Sequence, residues 1–293
     1  MSYRSNIFSK GNTQGVVYTP ILDDYTALVG YSTMKLKSSI TSPMTLKNNS
    51  GVVSDLLYGS SKSYDLTSYL SNGQTFNEFK ESNNIKLTVL KDQSGNGKDI
   101  SAVSAFEPLI SNATDIYKTD GQPSIYFDSK RLERAALPEL AIGNNFTVYS
   151  VSAVKSGSAI GVILNTSSTD TNRLVQFADL RTIKRNAFLQ TASGSYASDM
   201  SQARTTPDKN VLKVFSIGGS GTSVSSWDNK SNGQQNVAIV GTYTNDILKI
   251  GSQHLNLLPL TGYVQLLIIR SGVDSDIVRN DISDRINQMF NIY

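Results

Sequence analysis

The strongest constraint on this chain is the way its apolar residues recur. Short runs follow one another, each closed by Gly, Ser or Asn: PSIYFD, NFTVYSVSAV, AIGVIL, RLVQFA, NAFLQT, VLKVFSI, SVSSWD, NVAIVG and ILKIG. A two-residue period puts successive side chains on opposite faces of a strand. Phe146, Val148, Ser150, Ser152 and Val154 therefore share one face, and Thr147, Tyr149, Val151 and Ala153 the other. In IKLTVLK, Ile85, Leu87 and Val89 alternate in the same way with Lys86, Thr88 and Leu90. YVQLLIIR, from Tyr263 to Arg270, is apolar almost without a break and is expected deep in a sheet. Strands do not alternate with helices, which argues against a parallel α/β fold. The expected class is all-β, a two-sheet antiparallel sandwich.

Two segments carry helical spacing instead. After Thr19-Pro20, the residues Ile21, Leu22, Tyr25, Leu28 and Val29 fall on one face of a short helix, with Asp23 and Asp24 in its first turn. Near the end, Ser275 to Phe290 reads as a helix capped by Ser275 or Asp274. Its apolar side is Ile277, Val278, Ile282, Ile286, Met289 and Phe290, and Asp281, Asp284 and Arg285 are expected in solvent. Residues 1–18 are polar and are expected to form a flexible arm. Residues 19–293 show no repeat and no strong linker, so one domain is expected there.

Composition narrows the function. Charged residues are 17% of the chain, below the roughly 25% of ordinary globular domains, so much of the surface is neutral and polar. A net charge of +3 argues against a dedicated nucleic-acid binder. With no cysteine there are no disulfides, thiolate metal sites or thiol catalysis. The single histidine, His254, argues against a multi-histidine metal site and against a Ser-His-Asp triad. No apolar run approaches the ~20 residues of a membrane helix, so membrane insertion is not expected. The opening MSYRSNIFSKGNTQG lacks the apolar centre of a secretion signal.

LKDQSGNGKDI, from Leu90 to Ile100, is the most distinctive loop. Asp92, Ser94 and Asn96 are two apart, Gly97 follows, and Asp99 lies two further on. That spacing imitates an oxygen-ligand calcium loop, but Val103 stands where such a loop ends on an acidic residue, and a strand precedes it. The other reading is a Gly-rich corner in which Asp92 and Asn96 bond nearby backbone, and the spacing favours it. No cofactor is expected on that reading, and calcium is the alternative. For carbohydrate, Trp227, Tyr196 and Tyr243 are the candidate aromatic contacts. For glycoside hydrolysis, Asp170, Asp179 and Asp199 are the candidate acids, although no close pair stands out.

DQSGNG, then PLI, then DGQPSIYFD, closed by GYVQLLIIRSGVDSDIVRNDISDRINQMFNIY, resembles a pattern found in phage virion proteins. Their domain is similar to concanavalin A-like lectin/glucanase jelly rolls, specifically the catalytic domain of family-54 α-L-arabinofuranosidases. The resemblance covers about Leu22 to Tyr293. It implies a jelly roll located in a virion, with other virion proteins and copies of itself as partners. The aromatic pair that commonly precedes DQSGNG in that family is Leu90-Lys91 here, and none of the acids aligns with its catalytic carboxylates. The leading expectation is therefore a non-enzymatic capsid- or tail-associated fibre, decoration or host-contact component. A virion carbohydrate-binding module that touches host surface glycan is the second reading, and an arabinofuranosidase-type hydrolase the third.

Overall fold

The computed structural model describes residues 19–59, 63–141, 143–158, 160–169, 173–179, 185–191, 194–199, 206–233, 235–239, 241–252 and 258–293; for residue 160 and the strand residues between 177 and 199 it describes the backbone. The arm expected over residues 1–18 and His254 lie outside them.

The protein is an antiparallel β-sandwich. One sheet runs, in spatial order, β3 (Val53–Leu56), β2 (Met44–Lys47), β4 (Ile85–Leu90), β5 (Ile100–Ala102), β10 (Leu132–Ala135), β20 (Ile247–Ile250), β12 (Ile160–Asn165), β13 (Arg173–Asp179), β14 (Arg185–Thr191) and β15 (Gly194–Asp199). The other begins with β18 (Ser231–Asn232) and β19 (Val237–Ala238), both on β17 (Ser223–Asp228). It continues through β16 (Val211–Gly218), β11 (Phe146–Val154) and β21 (Thr261–Ser271). Two strands then share the far edge of β21: β1 (Val29–Ser32) and β9 (Ile125–Asp128). β6 (Leu109–Ser111) joins β9 to β4 and so closes one side of the sandwich. β7 (Lys118–Thr119) and β8 (Gln122–Pro123) form a separate small hairpin.

The alternation read in β11 is what builds the layers. Phe146, Val148 and Val154 enter the core between the sheets, with Leu87, Ile100, Leu132, Leu164 and Leu248 from the facing sheet. Tyr149 and Val151 point the other way, into a second core with Leu212, Val214, Leu266 and Ile268. Three α-helices are described: α1 (Ile21–Asp24), α2 (Phe76–Lys80) and α3 (Asp276–Phe290). α3 covers that second core with Ile282, Ile286, Met289 and Phe290. Every residue of β11 is buried because both of its faces are covered.

Both terminal helices differ from expectation in detail. α1 is one turn only: Tyr25 is already extended, at φ −123° and ψ 124°. The reason is tertiary. Leu28 N–H donates to Ile269 O at 2.7 Å and Val29 pairs with Ile269, so strand addition to β21 replaces further helix. On α3, Ile277 is 72% exposed, whereas Arg279 takes the inward position and lays its guanidinium 3.9 Å from the Trp227 ring centroid. Asp281 and Arg285 are not idle solvent charges. The Tyr25 hydroxyl donates to Asp281 at 2.6 Å, and Arg285 reaches Asp24 at 2.6 Å and Asp281 at 3.0 Å, which ties α1 to α3. Burial and then the Asp281 carboxylate push the Tyr25 hydroxyl up to about 12.

Ile286→Ala should therefore destabilise the fold by about 2–5 kcal/mol, as expected for a large buried side chain. Ile277→Ala should change it by no more than about 0.5 kcal/mol. Urea unfolding of the two variants checks which face of α3 is packed.

Candidate functional site

DQSGNG is a clasp. The Asp92 carboxylate is buried and accepts four hydrogen bonds: Oδ1 from Gly30 N and Ser94 N at 2.9 Å each, and Oδ2 from Ser94 Oγ at 2.8 Å and Lys98 N at 3.1 Å. Asp99 Oδ1 accepts from Asp92 N at 2.8 Å. Asn96 donates to the carbonyls of Ala27 and Leu28 at 2.9 and 3.1 Å. Gln93, fully buried, accepts from Leu36 N and donates to Ser32 O, Met34 O and the Tyr58 hydroxyl. The loop thus holds residues 27–36 against the start of β5. Its carboxylate oxygens face N–H and O–H donors, and among the described residues no group of three or more acids or histidines is arranged to hold a metal ion. Leu90 is a core residue, and Lys91 forms an ion pair with Asp55, so the position of the missing aromatic pair is structural.

Of the three aromatics singled out for carbohydrate, the two with described side chains are both buried. Tyr243 is buried and its hydroxyl donates to Leu140 O at 2.6 Å, so it serves the core and cannot act as a sugar platform. Trp227 is 6% exposed with the Arg279 guanidinium over its ring, so it is not an open stacking platform. Tyr196 lies on β15, with its side chain outside the described residues. Asp179 and Asp199 end β13 and β15; their side chains, and Asp170 altogether, are likewise outside them. Several described carboxylates are engaged structurally: Glu107 by Lys47 and Lys86, Glu133 by Arg131 and Lys249, Glu139 by Lys98, Asp274 by Arg270.

A polar strip lies between the sheets. Lys213 is fully buried and faces Asp228 across the β16–β17 pair at 4.0 Å. Ser150 pairs with Lys213, and the hydroxyls of Ser150 and Ser152 are buried with no hydrogen-bond partner among the described residues. β14 and β15 run over β16 and β17 in this region.

The structure also assembles an aromatic surface that sequence reading missed. Tyr126 and Tyr263 are register partners on β9 and β21. Ile125 and Phe127 enter the inter-sheet core, so Tyr126 lies on the opposite face of the sheet, where it is 7% exposed between its two tyrosine neighbours. Tyr117 completes a triad, with ring centroids 4.9 Å from Tyr126 and 6.3 Å from Tyr263; Tyr126 and Tyr263 are 5.3 Å apart. Tyr117 and Tyr263 are half-buried and keep part of their surface in solvent. Lys155 donates to the Tyr126 hydroxyl at 3.1 Å, with its ammonium 4.8 Å from that ring centroid. This bond is the main reason the Lys155 ammonium is held above its ordinary range. Burial raises the hydroxyls of Tyr117 and Tyr263. Tilted rings with polar tips and one cation can offer apolar faces and directed hydrogen bonds to one ligand. A signal was present: Tyr126 in PSIYFD and Tyr263 in YVQLLIIR alternate with core residues. What it could not reveal was the strand pairing that brings them together.

No family model and no curated protein matches this chain. Solved structures do. An arabinofuranosidase complexed with arabinofuranosyl-α-1,2-xylobiose superposes with a TM-score of 0.67 at 13% identity, over 90% of this chain. A GH54 α-L-arabinofuranosidase soaked with a cyclic sulfate inhibitor gives 0.66 at 13% identity, again over 90%. The chain shares their β-sandwich fold. It spans 63% of the length of each of these proteins.

Asp92→Ala would leave the Gly30, Ser94 and Lys98 N–H groups without their acceptor. Leaving buried donors unsatisfied costs about 1–3 kcal/mol, and more where a charged partner is lost, so a loss of about 2–4 kcal/mol is expected. Thermal melts with calcium or with chelator should show the same loss; a calcium-dependent rise in wild-type Tm that Asp92→Ala removes would reverse the assignment.

Proposed function

We propose that the domain recognises carbohydrate without cleaving it, as a host-contact component of a phage particle. The observation that carries the recognition reading is the Tyr117–Tyr126–Tyr263 surface with Lys155 at its rim. A sugar ring has apolar C–H faces bordered by hydroxyls, and partly exposed tyrosines with polar tips suit both. The low charge content supports a surface that meets neutral polymers. Placement in a virion, beside other virion proteins and copies of the chain, rests on the DQSGNG-to-terminus resemblance. The non-enzymatic reading is supported by the ion pairs that engage Glu107, Glu133, Glu139 and Asp274. The hydrolase reading has one observation in its favour, the polar strip around Lys213 and Asp228 beneath β14 and β15, the second of which carries Asp199.

An array of bacterial surface polysaccharides tests recognition directly. Binding of at least one glycan is expected, weakened about 3–10-fold by Tyr263→Ala or Tyr117→Ala, since an aromatic contact contributes about 0.5–1.5 kcal/mol. Binding that neither substitution affects would remove the triad from the reading. Incubation with 4-nitrophenyl α-L-arabinofuranoside should release no nitrophenol above buffer; release abolished by Asp179→Asn or Asp199→Asn would make the protein a hydrolase. Mass spectrometry of purified particles should find the chain in them.

A further inference from the structure

We infer that the cleft between β16, β17 and the start of α3 is a second binding site, for a neutral polyhydroxylated ligand of about one or two sugar rings. It lies on the outer face of the sheet, where side-chain size falls abruptly. Val214 and Trp227 belong to the core beneath α3. Two residues further from them on the same face, β16 presents Ser216 and β17 presents Ser225, then Gly218 and Ser223. With no bulk there, the sheet and the Val273–Asp276 turn stand apart and leave a cleft of about 390 Å³, within the roughly 300–1,000 Å³ range of small-molecule sites. A Cβ on Gly218 would come 3.1 Å from Val273 Cγ2, so the missing side chain keeps the mouth open.

The groups facing this space decide the ligand class. Ser225 Oγ accepts from Asn236 N at 2.9 Å, which leaves its own proton to donate. Ser223 Oγ has no hydrogen-bond partner among the described residues. The Gln235 amide donates to Ser226 O and Gly233 O at 2.8 and 3.2 Å, and its carbonyl oxygen remains to accept. The charges are paired: Asp274 with Arg270 at 3.0 Å and Asp276 with Arg279 at 2.8 Å. Hydroxyl and amide groups without a free charge match a ligand whose own groups both donate and accept, and give no counter-ion to an anion.

Trp227, the only tryptophan in the chain, forms part of the wall and reports on the cleft. Its emission should be followed in the full-length protein during titration with L-arabinose, D-galactose, lactose and xylobiose, with glucuronate as the charged comparison. A saturable shift with at least one neutral sugar is expected. Ser223→Leu, which fills the cleft, should raise the midpoint at least tenfold, and Gln235→Ala, a change at the rim, should raise it severalfold if the leucine variant does not fold. A midpoint raised by Tyr263→Ala and by neither cleft variant would place the response on the tyrosine surface and overturn this inference, so failure of that surface and failure of this cleft are read separately. No saturable shift with any neutral sugar, a response to glucuronate alone, or a midpoint that neither cleft variant moves would overturn the inference.

Discussion

The structure depends on the pairing of β11 with β21. These two strands run antiparallel from Phe146–Ser271 to Val154–Gly262 and carry core-forming apolar residues on both faces. Apolar surface left in water on either side would cost roughly 25 cal/mol for each Å², so both faces must be covered. The facing sheet covers one and α3 with α1 covers the other, giving a sheet–sheet–helix order in which each layer exists because of that central pair. Gly262 marks how close the two backbones come: a Cβ there would sit 2.2 Å from Ala153 O.

A single irregularity in that ladder divides the outer face in two. The register shifts between Val151 and Ser152, and Gln265 is the extra residue on β21. A bulge leaves backbone groups unpaired and needs other partners for them. Here Gln265 O accepts from Thr33 N and Ser32 Oγ at 3.0 Å each, while its side chain donates to Thr119, Gln122 and Pro123 carbonyls. β1 and the β7–β8 hairpin are thereby anchored at one point. On one side of it the outer face carries Leu266 and Ile268 under α3; on the other it carries Tyr263 beside Tyr126. Helix packing and the tyrosine surface are thus two uses of one sheet face, and the Ser-lined cleft, at the other edge of the sheet, is a third.

The clasp at Asp92 follows a different logic. A buried carboxylate is costly unless donors surround it, and this one has four. Three of them come from within two to six residues and one from β1, 62 residues away in sequence, so the loop couples local turn geometry to long-range attachment. That coupling lets a motif with the look of a ligand site serve the fold.

Local pattern in the sequence was enough for the β class, the alternating faces of β11, the depth of β21 and the existence of α3, because alternation, unbroken apolar runs and helical spacing are local properties. It also placed a turn at DQSGNG, from glycines that here take φ of 91° and 66° at Gly95 and Gly97. Tertiary structure alone decided where α1 stops, because Val29 gains a partner on β21 that no local pattern names. It decided that Arg279, and not Ile277, turns inward, because Trp227 offers a ring there. Tyr117, Tyr126 and Tyr263 are separated by up to 146 residues yet adjoin in space, and neither their clustering nor the small-residue cleft beside α3 has a local signature. Strand pairing joins distant residues through backbone hydrogen bonds that carry no side-chain identity, so the sites built on it become visible only in the folded chain.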